Sequence, residues 1–217
     1  MPIPRKRRSS TPQLTIPGLM DAATGQVVAG VDEVGRGALF GPVVAAAVII
    51  PETALASLRA SGVTDSKQLS APQRTALVQE IRQQAVDYRI GYASVREIDR
   101  LNILQASLLA MKRAIMRLEV QPDLCLIDGN QRIPGLVLPQ QTVVKGDQMS
   151  LAIAAASILA KVWRDELITR LAQHYPEYDL ATNKGYGTAA HQRAIAAHGI
   201  TPYHRKSFSP CQQAIAD

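Results

Sequence analysis

Three apolar segments of this chain each run into an acidic residue where a turn begins. VVAGV (27–31) meets Asp32 and Glu33, followed by Val34-Gly35. LCLI (124–127) meets Asp128, followed by Gly129-Asn130, and VVKG (143–146) meets Asp147 ahead of a long helical pattern. Strand ends on a rigid scaffold are where functional side chains are usually presented. If the three segments are neighbouring strands, four carboxylates converge at one end of a sheet. Adjacent acids repel unless protons or cations intervene. Hard divalent cations such as Mg²⁺ or Mn²⁺, which prefer oxygen ligands, relieve that repulsion directly. Taken singly, Asp32 and Asp128 also fit plain turn residues, and Asp147 also fits an N-cap of the helix that follows. Glu33 resists that reading, because one turn rarely needs two acids.

The rest of the pattern predicts an α/β layered fold with a mixed sheet. Strands are expected at 27–32, 43–50, 86–93, 124–128 and 141–145. The second of these, VVAAAVII, reads as buried on both faces. Capping-box spacing at Ser70/Gln73 and Ser94/Glu97 opens two helices. Leu104, Leu108, Met111, Ile115 and Leu118 form one helical apolar face, and 150–173 reads as a single long helix. Further helical signal lies at 189–199 and at the C-terminus. The chain has 217 residues, 47% of them hydrophobic, enough for one core. Residues 1–24 carry Arg5, Lys6, Arg7 and Arg8 among prolines without apolar periodicity. They read as a flexible basic tail, leaving 25–217 as one domain.

A formal charge of +6 favours a polyanionic partner. Six tyrosines, two phenylalanines and one tryptophan are too few for a single-strand stacking platform. Cys125 and Cys211 make no metal or disulfide pattern, and Cys125 within LCLI reads as a buried apolar residue. Pro17, Gly18 and Asp21 interrupt any secretory signal, and the longest apolar run is too short to span a bilayer. A soluble, cytoplasmic protein is expected. Gly35, Gly37 and Gly41 miss the dinucleotide spacing by one residue, and neither a Walker loop nor a G-x-S-x-G elbow is present. The histidines at 174, 191, 198 and 204 lack zinc-site partners and read as surface or helix-end residues.

GVDEVGRGALFGPVVAAAVI, TDSKQLS, LIDGN, VVKGD, AAASILAKVWRD, NKGYGT and HRKSFSP, in that order across 27–210, closely resemble the type 2 ribonucleases H (ribonuclease HII). The resemblance implies an RNase H-like fold: a central five-stranded mixed sheet flanked by helices, with a helical C-terminal extension. It implies an endonuclease that cuts the RNA strand of RNA–DNA hybrids and nicks duplex DNA on the 5′ side of embedded ribonucleotides, leaving 3′-hydroxyl and 5′-phosphate ends. Carried over, Asp32, Glu33, Asp128 and Asp147 are the catalytic acids, binding two Mg²⁺ or Mn²⁺ ions. Gly35, Arg36 and Gly37 approach the ribonucleotide, and Tyr186 reads the ribose at the RNA–DNA junction. Lys67, Lys184, Arg205 and Lys206 are candidate phosphate contacts. Lys161 and Arg164 fit structural roles equally well.

Two positions depart from the family's pattern. Asn183 stands where histidine is usual and cannot carry a proton near neutral pH, and Ala38 replaces a frequent proline. The acting species is expected to be a monomer, and any replication-protein partner is left open. Two other classes fit less well. A catalytically silent binder gains nothing from a repelling acidic cluster facing phosphates. A polynucleotidyl transferase or resolvase of the same fold superfamily leaves GRG and KGYGT unexplained.

Overall fold

The computed structural model describes residues 25–63 and 69–216. The basic tail expected over 1–24, and Lys67, lie outside the described residues. Five strands form one mixed sheet: β1 (Val28–Val34), β2 (Val43–Ile49), β3 (Asp87–Ala93), β4 (Leu124–Asp128) and β5 (Gln140–Val143), in the order β3-β2-β1-β4-β5. β2 pairs antiparallel with β1 and with β3, whereas β1–β4 and β4–β5 are parallel. β1 is therefore central, and the C-terminal ends of β1, β4 and β5 share one edge. This is the mixed five-stranded architecture expected from the alternation of strands and helices.

The helices are α1 (Glu52–Ala60), α2 (Ala71–Gln84), α3 (Val95–Leu101), α4 (Ile103–Ile115), α5 (Gly146–Met149) and α6 (Leu151–Ala172), then α7 (Leu180–Asn183), α8 (Ala189–His198) and α9 (Ser209–Ala216). Side chains alternate across a strand, so β2 feeds two cores at once. Val43, Ala45, Ala47 and Ile49 pack with Ala110, Met111 and Ile115 of α4. Val44, Ala46 and Val48 pack with Leu58, Ile81 and Ile158 from α1, α2 and α6. The all-apolar reading of β2 holds for that reason. α6 lies directly on β1, because a Cβ on Gly30 would fall 2.2 Å from the backbone carbonyl carbon of Ala152.

Both expected capping boxes are formed. The Ser70 N–H donates to Gln73 Oε1 (2.8 Å) and the Ser94 N–H donates to Glu97 Oε2 (2.9 Å). The long helix expected over 150–173 forms as α6. The Ser150 hydroxyl accepts the Ile153 N–H, so Ser150 and not Asp147 caps it. α1 is a further addition, which lacked a side-chain cap as a signal because Pro51 stands at its N-cap. Among the described residues, no helix is long and apolar enough to cross a membrane.

Candidate active site

Parallel pairing brings the first two acids together. Val31 is in register with Ile127, so the next residues along both strands, Asp32 and Asp128, stand side by side. Glu33 follows at the strand end. One oxygen from each of Asp32, Glu33 and Asp128 lies within 4.8 Å of the others. β5 brings in the fourth acid: the Gly146 N–H donates to Asp128 Oδ1 (2.7 Å), placing Asp147 on the adjoining turn. Asp147 is buried but stands outside the three-acid set.

Burial and company set the electrostatics. Asp32 is buried, and its carboxyl is held well above the usual range, first by desolvation and then by the charges of Glu33 and Asp128. The Ser157 hydroxyl on α6 and the Glu33 N–H (2.7 Å) bond to Asp32 and oppose that rise. Burial raises Glu33 as well, and the Arg36 guanidinium at 3.2 Å counters it. Three clustered carboxylates offering only oxygen form a donor set suited to hard divalent cations. The residues present fit such ions.

The acids open into a cleft of about 370 Å³ that is also lined by Gly35, Arg36, Gly37, Lys161 and Tyr186. Gly35 has φ +89°, and a Cβ there would fall 2.2 Å from Arg164 Nε, so this position requires glycine twice over. The two loops singled out in the sequence are joined by backbone. Leu39 and Phe40 N–H groups both donate to Gly185 O, at 2.8 and 3.2 Å, and Ala38 bridges to Tyr186. The Tyr186 ring lies 5.7 Å from Lys161 Nζ and 5.5 Å from Arg164 Cζ.

Several expected contacts sit elsewhere. Arg205 is fully buried, so it cannot be a direct phosphate contact; its guanidinium donates to backbone carbonyls. Lys184 commits its ammonium to Thr169 Oγ1 (2.7 Å) and Ala181 O (2.6 Å). Lys206 is exposed. Asn183 is buried, donating to Tyr178 O and accepting the Gly185 N–H, both at 2.7 Å; it shapes the loop before Tyr186. His174 and His198 are exposed as expected, but His191 and His204 are fully buried. Their Nε2 atoms lie 3.1 Å apart, and His191 Nδ1 reaches Tyr186 O at 2.9 Å. Ser157 carried no signal in the sequence, since a serine in a small-residue helix looks like packing. Cys125 is buried, and burial pushes its thiol up to about 12.

A mixed sheet of this order with acids gathered at its edge defines an RNase H-like hydrolase. The family model for Ribonuclease HII matches residues 29–211, and the chain belongs to that family. Ribonuclease HII from Trichodesmium erythraeum is 63% identical over 197 residues, covering 91% of this chain and 93% of that protein. Among solved structures, the ribonuclease H2 from Pyrococcus horikoshii superposes with a TM-score of 0.73 at 28% identity, covering 86% of this chain and 96% of that one. The ribonuclease HII of a PCNA complex from Archaeoglobus fulgidus gives 0.65 at 27%, covering 84% and 95%. The chain is accordingly a metal-dependent endonuclease that hydrolyses the RNA strand of RNA–DNA hybrids.

Proposed function

We propose that this enzyme also nicks duplex DNA on the 5′ side of a single embedded ribonucleotide, leaving 3′-hydroxyl and 5′-phosphate ends, and so serves ribonucleotide and primer removal. The observation that carries the reading is the shared cleft: the three-acid cluster faces the same space as the Gly35–Gly37 turn and Tyr186. Asp32, Glu33 and Asp128, with Asp147 beside them, would hold two Mg²⁺ or Mn²⁺ ions. Those ions supply charge neutralisation at the scissile phosphate and an activated water.

The chain's own residues do the selecting. Ser157 and the Glu33 amide orient the Asp32 carboxylate, and Arg36 restrains Glu33. The glycine turn lets backbone approach the ribose without a Cβ in the way. Tyr186 presents a ring face beside two cations, suited to packing on the sugar. The 2′-hydroxyl is the group that separates RNA from DNA at such a site. Lys206 would supply salt-dependent phosphate affinity. The acting unit is one domain over residues 25–217, working as a cytoplasmic monomer. A protein of the PCNA kind is the partner suggested by the Archaeoglobus complex.

A labelled duplex with one ribonucleotide tests the reading. A 5′-side nick that disappears with EDTA or with Asp32→Asn is expected, and equal cleavage of the all-DNA duplex would sink it. Tyr186→Ala should weaken cleavage at the single ribonucleotide more than cleavage of an RNA tract, by about 10-fold or more. Equal losses on both substrates would remove Tyr186 as the junction reader.

A further inference from the structure

Arg205 and Arg164 are the two largest fully buried side chains among the described residues, and neither makes a salt bridge there. Burying a charge without an opposite charge is costly. Burial, with the nearby Arg164 charge adding to it, lowers the Arg205 guanidinium to about 9. What offsets the cost is a set of carbonyl acceptors. Arg164 donates from Nε to Pro42 O (3.1 Å), from Nη1 to Lys184 O (2.9 Å) and from Nη2 to Phe40 O (2.9 Å). Arg205 donates from Nε to Gly41 O (3.0 Å), from Nη1 to Arg36 O (2.7 Å) and from Nη2 to Gly35 O (2.7 Å).

The last two contacts decide which way the glycine turn faces. In a trans peptide the C=O and the following N–H lie in one plane and point in opposite directions. No cis peptide is present among the described residues. With the Gly35 and Arg36 carbonyls turned inward onto Arg205, the N–H groups of Arg36 and Gly37 point outward. Arg36 and Gly37 are the exposed residues of the turn, and both line the cleft that holds the acids. No acceptor among the described residues takes either N–H. Two successive outward amides make a concave donor pair suited to an oxygen-rich ligand such as a 2′-hydroxyl or a phosphate.

We infer that Arg205 is a positioning residue for ribonucleotide recognition, clamping the Gly35 and Arg36 carbonyls so that the Arg36 and Gly37 amides face the ribose. Arginine alone suits the demand, since its planar fork reaches three separated carbonyls in fixed directions, while the three donors of a lysine all radiate from one nitrogen. The inference rests on the turn contacting the ribonucleotide, as in the proposed function.

Arg205→Lys is the test, read with duplexes that contain one ribonucleotide or none. Affinities are measured with Ca²⁺ and cleavage with Mg²⁺. The variant should bind the all-DNA duplex within about two-fold of the original enzyme. It should lose about 10- to 100-fold in affinity and kcat/KM for the ribonucleotide duplex, the scale of a misplaced contact. Preserved discrimination in a folded variant overturns the inference. So does an equal loss on both duplexes, which a merely structural role would produce. Backbone NMR order parameters of Arg36 and Gly37 form a second readout. They should be near 0.85 in the free enzyme and below about 0.6 in Arg205→Lys. If the original enzyme does not prefer the ribonucleotide duplex, the functional reading fails, and the clamp is judged on these order parameters alone. If Arg205→Lys does not fold, a mobile turn in the free original enzyme is the overturning result.

Discussion

At the scale of single residues, the acidic cluster proposed to hold metal ions is locally unfavourable. Asp32 is buried against two other carboxylates, and desolvation first, then the charges of Glu33 and Asp128, raise its proton affinity. Asp32→Asn should therefore abolish cleavage while stabilising the metal-free protein. Removing one of three clustered charges should contribute about 1 kcal/mol, raising Tm by roughly 2–4 °C in a chain of this size. Addition of Mg²⁺ should raise Tm of the original protein by mass action and leave the variant unmoved. A fall in the variant's metal-free Tm would show that the Ser157 and Glu33 amide contacts outweigh the repulsion. The gathering of Asp32, Glu33 and Asp128 was legible from VDE and LID, as acids at the ends of apolar strands. Ser157 was not, because nothing in AAASILA distinguishes a serine aimed at Asp32 from one that fills space.

At the scale of elements, caps and breaks place the site more than helix propensity does. The apolar pattern over 150–173 forms α6 as one helix, and Ser150 caps it, which lets Gly146–Met149 fold separately as α5 beside Asp128. Without that separation, Asp147 would join the long helix and leave the sheet edge. Ser150→Ala should cost about 1–2 kcal/mol, as cap removal does in a buried setting. Denaturant melts would detect it, and a change below a few tenths of a kcal/mol would show that the cap is redundant. Local sequence left Asp147 open between a cap of the long helix and a metal ligand, because an acid before a helix usually caps it. The short α5 has no side-chain cap to betray it.

At the scale of the whole molecule, the C-terminal region reaches the cleft-lining Tyr186 through buried polar groups. The Thr201 N–H donates to His204 Nδ1 (3.0 Å), which leaves His204 Nε2 to donate to His191 Nε2 and His191 Nδ1 to donate to Tyr186 O. That chain requires both rings neutral. Burial, and then the facing His191, push His204 down to about 4, and burial lowers His191. In the unfolded chain both titrate near 6.5. Between those values the unfolded state binds more protons, so stability is full above about 6.5 and is lost as pH falls toward about 4. The raised Asp32 carboxyl works in the opposite sense, since its folded form gains protons as pH falls. Comparing unfolding midpoints at pH 7.5 and 5.5 between the original chain and a His191→Asn, His204→Asn double variant isolates the histidines. A smaller acid loss in the double variant is expected; identical slopes would exclude the pair.

The sequence by itself determined the strands, the two capping boxes, the gathering of Asp32, Glu33 and Asp128, and the family. Those depend on period, spacing and local chemistry, which are written along the chain. The tertiary structure alone decided which basic residues face inward. Arg205 and Lys206 are neighbours with the same sign of charge, yet one is buried under the glycine turn and the other is exposed. His191 and His204 were likewise unreadable as a pair, because their contact joins segments 13 residues apart. Burial of a charge depends on acceptors brought from distant segments, here the carbonyls of Gly35, Arg36 and Gly41, and no local pattern encodes where a carbonyl will point.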